Sequence, residues 1–224
     1  MSDTTAHLIV GSEFNAGLYT AAQTIPLSLQ GWQIQSLARD PDGRLWCVGS
    51  AGNPARWEST LQSWVGAPQL FGGWSLSCLA WDPAGNLWCV GSAGNLSRWL
   101  GDWSTSTGRW AGPNDGFPQL ASPGGYRSVA FAPDGTPWAT RQDGTVTRWS
   151  SLQNQWQQQA DTLPGGAALT LSFDGGSLYV VTPDFRVFSS SVSTPQTWAP
   201  VQTGWTVRWF GPDYTGGIVL PPAA

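Results

Sequence analysis

Four aromatic residues that follow a glycine are the side chains of this chain best suited to handling a ligand. Trp32, Trp74, Tyr126 and Trp205 stand in Gly-Trp or Gly-Tyr pairs at the entry to an apolar segment. The glycine leaves room beside the ring, and a ring at such a junction can stay part-exposed. An exposed indole face can stack on the apolar face of a pyranose while nearby amides bind its hydroxyls. The alternative is a ring that closes the end of the core. Arg56, Arg98 and Arg148 each precede a Trp. A guanidinium can hold hydroxyls or a carboxylate in its planar fork. It can equally lay its stem over a neighbouring Trp or form a cross-strand ion pair. These seven residues are the candidate sugar-binding set.

Covalent chemistry lacks its parts. The single histidine, His7, falls at the frayed start of the chain, so no Ser–His–acid set can be assembled in each unit. The acids are scattered among turns, whereas a glycosidase needs two converging in one pocket. Asp40 and Asp42 form a carboxylate pair that the other copies of the motif lack, so turn chemistry accounts for them better than calcium does. Cys47, Cys78 and Cys89 lie in apolar strands without any C-x-x-C spacing and read as buried free thiols. The expectation is therefore no catalytic residue, no metal and no cofactor.

A repeat positions the candidates. Gly72 to Trp99 reads GGWSLSCLAWDPAGNLWCVGSAGNLSRW, and the same sentence occurs at Gly31 to Trp57 and, more worn, at Gly125 to Trp149. Taking the Trp of L-W-C-V as a marker, Trp46, Trp88 and Trp138 are 42 and 50 residues apart, Tyr179 follows by 41, and Leu8 precedes by 38. The linkers IPLSLQGW, APQLFGGW, FPQLASPGGY, LPGGAALT and APVQTGW count five as well. Within a unit the apolar period is two, the period of a strand. Turns such as Asp82-Pro83-Ala84-Gly85 separate the strands, with Pro and Gly setting the dihedrals. Each unit supplies about four short strands, and no stretch has helical periodicity.

Such units cannot bury both faces alone, and a ring of them can. The fold expected is all-β: a five-bladed β-propeller with four-stranded antiparallel blades. Its units run approximately over 8–31, 32–73, 74–125, 126–166 and 167–204, with a closing strand at 205–220. GWTVRWFGPD matches a first strand and HLIVGSEFNAGLYTA a second and third. One blade is thus shared between the two ends and closes the ring. GGIVLPPAA is left as an extra strand or a tail.

Composition bounds the partners. The chain carries 28 Gly and 16 Trp, a net charge of -4 and no Lys, all ten basic residues being Arg. Nucleic acid and anionic membranes select clustered positive charge, which argues against both. The N-terminus has no basic region followed by an apolar core, and no apolar run reaches a membrane span. The expectation is a soluble chain without a signal peptide, cytoplasmic or non-classically secreted.

With these residues in hand, the chain resembles the tachylectin-2-type lectins, and the tectonin lectins are the nearest alternative. Gly72 to Val90, GGWSLSCLAWDPAGNLWCV, is close to the repeat of the first family. The resemblance spans the whole length and implies a five-bladed propeller that binds N-acetylated hexosamines at equivalent sites between blades. One departure is visible. The family's D-N-W before the outer strand is replaced by Gln62-Ser63-Trp64, Gly108-Arg109-Trp110, Asn154-Gln155-Trp156 and Gln196-Thr197-Trp198. The function expected is multivalent carbohydrate binding without chemistry, for N-acetylated hexosamine or related glycans, with four rings marking up to four sites. The competing expectation is a propeller scaffold for protein–protein interaction.

Overall fold

The computed structural model describes residues 6–20, 23–26, 32–67, 74–105, 107–121, 124–159 and 163–212. The C-terminal GGIVLPPAA and most of the first two linkers lie outside the described residues.

Among the described residues twenty short strands form five antiparallel sheets. In chain order, β1 (His7–Gly11), β2 (Ala16–Thr20) and β3 (Gln23–Pro26) open the first. The second holds β4 (Ile34–Arg39), β5 (Leu45–Gly49), β6 (Pro54–Glu58) and β7 (Ser63–Gly66). The third holds β8 (Leu76–Trp81), β9 (Leu87–Gly91), β10 (Leu96–Asp102) and β11 (Thr107–Trp110). The fourth holds β12 (Tyr126–Phe131), β13 (Pro137–Arg141), β14 (Val146–Ser150) and β15 (Gln155–Gln158). The fifth holds β16 (Thr170–Asp174), β17 (Ser177–Val181), β18 (Val187–Ser191) and β19 (Thr194–Val201). The last strand, β20 (Val207–Pro212), pairs with β1 and completes the first sheet in the order β20-β1-β2-β3. The protein is a five-bladed β-propeller whose first blade is built from both ends of the described chain.

The inner strands β4, β8, β12, β16 and β20 contact one another around the axis. The core is divided into five wedges, one between each pair of neighbouring blades. Trp46 packs with Leu76 and Leu79 of the next blade, Trp88 with Val129, and Trp138 with Leu171 and Phe173. All three indoles are buried. A large flat side chain suits this place because the gap between two twisted sheets widens outward from the axis. Trp88 also meets Phe131 with ring centroids 5.4 Å apart.

The turn between the first two strands of a blade anchors that indole. Asp40 Oδ1 accepts from the backbone N–H of Asp42 and Arg44, while Oδ2 accepts from Trp46 Nε1 at 2.9 Å. Asp82 repeats the arrangement, with Trp88 Nε1 at 3.0 Å. One aspartate thus closes the turn and satisfies a buried donor. Replacing Asp40 with Ala strands the Trp46 N–H, which should cost about 1–3 kcal/mol. The fourth blade carries Ala132 at this place, so stability should fall without loss of the fold. A denaturant melt of Asp40→Ala measures it, and an unchanged midpoint would refute the anchoring role.

His7 does not sit at a frayed end. It is the first residue of β1 and is buried, stacked on Phe210 at 4.6 Å and 3.1 Å from Asp174 Oδ2. Pairing with β20 on one side and β2 on the other draws this end of β1 into the wedge between blades five and one. The three cysteines are free and buried. Burial pushes the Cys78 thiol up to about 11 and raises Cys47 and Cys89 as well. No helix among the described residues is long and apolar enough to cross a membrane.

Candidate functional site

The glycine-preceded tryptophans occupy one equivalent place, and backbone hydrogen bonds fix that equivalence. The residue after each Trp accepts through its carbonyl from a residue at the end of the second strand: Gln33 from Ser50, Ser75 from Ser92, and Thr206 from Ser12. Two residues after the Trp, the N–H of Ile34, Leu76 or Val207 donates to the turn of the preceding blade. In each blade the indole lies against a glycine at the end of the second strand. A Cβ at Gly49 would come 2.9 Å from Trp32 Cε3, one at Gly91 3.4 Å from Trp74 Cε3, and one at Gly11 3.2 Å from Trp205 Cε3. The missing side chain therefore seats the ring. Trp74 is 37% exposed and tilts toward Trp110 at 6.2 Å; Trp32 and Trp205 are half-buried.

A third residue recurs with them. The glycine N–H donates to the carbonyl of an asparagine four residues on: Gly11 to Asn15 at 2.8 Å, Gly49 to Asn53 at 2.8 Å, Gly91 to Asn95 at 2.9 Å. All three asparagines are exposed at the turn. The Asn15 amide oxygen leans over Gly11, beside the Trp205 ring, and that of Asn95 is directed toward Gly124 of the next blade. Blades one, two and three thus each offer an indole seated on a glycine, with a serine and an amide at the adjoining turn.

Blades four and five lack the set. By the same hydrogen bonds, Gln142 N–H to the Gly125 carbonyl and Tyr126 N–H to the Gly94 carbonyl, the place of Trp74 falls to Gly124. Tyr126 corresponds to Leu76 instead. Its ring is 1% exposed, packs on Trp156 at 5.4 Å and lies beneath the Arg141 guanidinium at 5.6 Å. Tyr126 is therefore a core residue, and the four-ring set reduces to three. The seats are gone too. Arg141 and Thr145 replace Gly91 and Asn95 in blade four, as Thr182 and Arg186 do in blade five, where Gly166 stands in place of the Trp.

Arg56, Arg98 and Arg148 are not brought to these rings. They pair across the strand with Trp46, Trp88 and Trp138, three residues before Gly49, Gly91 and, in blade four, Arg141, roughly 10 Å along the strand. Arg98 lies over the Trp88 and Phe117 rings, Arg148 over Trp138 and 4.0 Å from Asp134, and Arg56 3.8 Å from Glu58. Arg98 and Arg148 thus cover inter-blade tryptophans, and Arg56 and Arg148 keep their charge beside an acid of their own blade. Among the described residues no group of three or more His, Cys, Asp or Glu is placed to hold a metal ion.

The asparagines escaped the sequence reading, although their signal was present. Val-Gly-Ser-x-x-Asn occurs at Val10–Asn15, Val48–Asn53 and Val90–Asn95, and nowhere in the two worn blades. Read as turn chemistry alone, it concealed its link to the tryptophan that lies some 17 residues earlier in blades two and three, and near the other end of the chain in blade one.

No family model matches the chain, and no curated protein matches it. Among solved structures, the chain is similar to YCF48 bound to D1 peptide, at 18% identity and TM-score 0.49, over 75% of this chain and 58% of that one. It is similar to virginiamycin B lyase from Staphylococcus aureus, at 15% identity and TM-score 0.49, over 90% of this chain and 72% of that one. PorZ, a surface component of the type-IX secretion system of Porphyromonas gingivalis, is similar at 12% identity and TM-score 0.47, over 84% of this chain and 26% of that one.

Proposed function

We propose that this propeller is a multivalent carbohydrate-binding protein that performs no covalent step. The observation that carries the reading is the threefold recurrence of Trp, seating Gly, Ser and Asn in blades one to three. A flat apolar face bordered by an amide and a hydroxyl suits a pyranose, which presents an apolar C–H face and a rim of hydroxyls. An acetamido group adds a methyl to stack and an amide to pair with Asn, so N-acetylated hexosamines are the first sugars to test. Packing couples each glycine to the Trp it seats, but the turn is closed through the backbone carbonyl of the asparagine, which gives no reason for the Asn side chain to appear and disappear with them.

A glycan array with the whole protein tests the reading, followed by titration of N-acetylglucosamine into Trp32→Ala, Trp74→Ala, Trp205→Ala and the triple variant. Each single change should remove one class of site and the triple should remove all. Gly49→Ala should imitate Trp32→Ala, because its methyl displaces the ring. A blank array, or a triple variant that binds as well as the parent, would sink the proposal and turn attention to a scaffold that binds protein partners.

A further inference from the structure

The mouth of the central channel is furnished differently from the rest of the surface. Four inner strands slip register where they meet the second strand of their blade, between Ile34 and Ser36, Leu76 and Cys78, Tyr126 and Ser128, and opposite Val10 and Gly11. The extra residues of these bulges are Gln35, Ser77, Arg127 and Arg208, and all four line one cavity of about 550 Å³ at the axis. A bulge commonly re-aims a side chain in this way. Ser50, Ser92 and Gln142 supply further polar wall, and Trp209 and Leu169 an apolar part.

Two arginines meet there with no carboxylate among the described residues of the lining. Of the eight other arginines, five (Arg44, Arg56, Arg109, Arg148 and Arg186) each lie within 4.0 Å of an acid. Arg127 has only the Gln142 carbonyl, at 3.4 Å, and Arg208 lies over the Phe14 ring at 4.0 Å. Neither has an ion-pair partner among the described residues. Phe14 holds its place at φ 62, a conformation a β-carbon disfavours, in a turn where blades two to four use Gly52, Gly94 and Gly144. The ring thereby serves as a platform for Arg208. Partial burial, and after it the charge of Arg127, draw the Arg208 guanidinium below its ordinary range. Two like charges held together in a half-enclosed site repel, and an anion between them relieves that repulsion.

We propose that the mouth of the central channel binds a small organic anion through Arg127 and Arg208, the ligand carrying a carboxylate or phosphate group. The guanidinium forks would take the anionic oxygens. The Gln35 amide and the serine hydroxyls would take hydroxyl groups on the remainder. The cavity admits a molecule of the size of one acidic or phosphorylated sugar rather than a polymer segment. This site borders the tryptophan seats of blades two and three through Ser50 and Ser92, but its arginines belong to neither seat and it does not depend on their function.

The test is NMR titration of the whole protein with inorganic phosphate, glucuronate and citrate, with glucose as the neutral control, following the Arg Nε–Hε signals. Phosphate or glucuronate should shift Arg127 and Arg208 saturably, and the tighter of the two identifies the preferred anionic group. Arg127→Gln and Arg208→Gln should each weaken that binding about tenfold to a hundredfold, and the surface variant Arg109→Gln should bind as the parent does. Should Arg208→Gln fold poorly through loss of its contact with Phe14, Arg127→Gln, which disturbs no ring contact, decides alone. No saturable shift with any of the three anions, or undiminished binding by Arg127→Gln, would overturn the proposal. N-acetylglucosamine should leave both arginine signals unmoved, so the two kinds of site fail or succeed separately.

Discussion

Trp88→Ala should lower stability by about 3–5 kcal/mol, the range for deleting a large aromatic from a packed core. The indole is 5% exposed, fills the wedge between blades three and four, touches Phe131 and donates to Asp82. Its removal leaves a cavity between two sheets that cannot close without moving a blade, and takes one of two donors from Asp82 Oδ2, which keeps the Asn86 side-chain amide. Trp74→Ala should cost roughly 1–2 kcal/mol, since much of that ring already faces water. Its effect should appear in sugar binding instead. Urea melts of the two variants, read against calorimetric titration of each, separate the roles. Equal destabilisation by both would remove the basis for treating the glycine-seated rings as sites.

The second large effect is in avidity. A single shallow sugar site buries little area and gives up water hydrogen bonds, so each seat should bind a monovalent sugar with Kd of about millimolar to tens of micromolar. Three seats on one rim, engaged together by a glycan surface of matching spacing, should raise apparent affinity by about 10²–10⁴. Calorimetry with a monovalent sugar should report three sites per chain, and agglutination of glycan-bearing cells should far exceed what one site allows. A chelator should change neither, because no repeated carboxylate cage is present among the described residues. A stoichiometry of one, or agglutination abolished by a chelator, would contradict the repeated-seat arrangement.

The architecture was legible because its signals are local. Alternation with period two, D-P-x-G turns and the L-W-C-V marker each report on a few consecutive residues, and their recurrence counts the blades. Tyr126 shows where such reading slips. Side chains two apart in a strand share a face, so an aromatic displaced by two residues keeps the pattern while exchanging a surface position for a core one. The seat of Trp205 was hidden for another reason: its glycine and asparagine, Gly11 and Asn15, lie at the opposite end of the sequence. The arginine pair was out of reach altogether. Arg127 and Arg208 meet only because four strands bulge at corresponding places and the ring closes, neither of which leaves a mark on single residues.

Completion of blade one by β20 also orders events during synthesis on the ribosome. β1, β2 and β3 emerge early, yet β1 keeps a bare edge until the strands of the four other blades have been made. Their contacts with β20 are among the longest-range in the chain, and such contacts slow folding because loop closure must precede their reward. Until then the nascent chain carries an apolar strand, Leu8-Ile9-Val10, open to pairing with a neighbour. A chaperone that shields this edge, or slow delivery of the last strand, bears on the yield of native protein, while the same late strand makes the finished ring hard to open from either end.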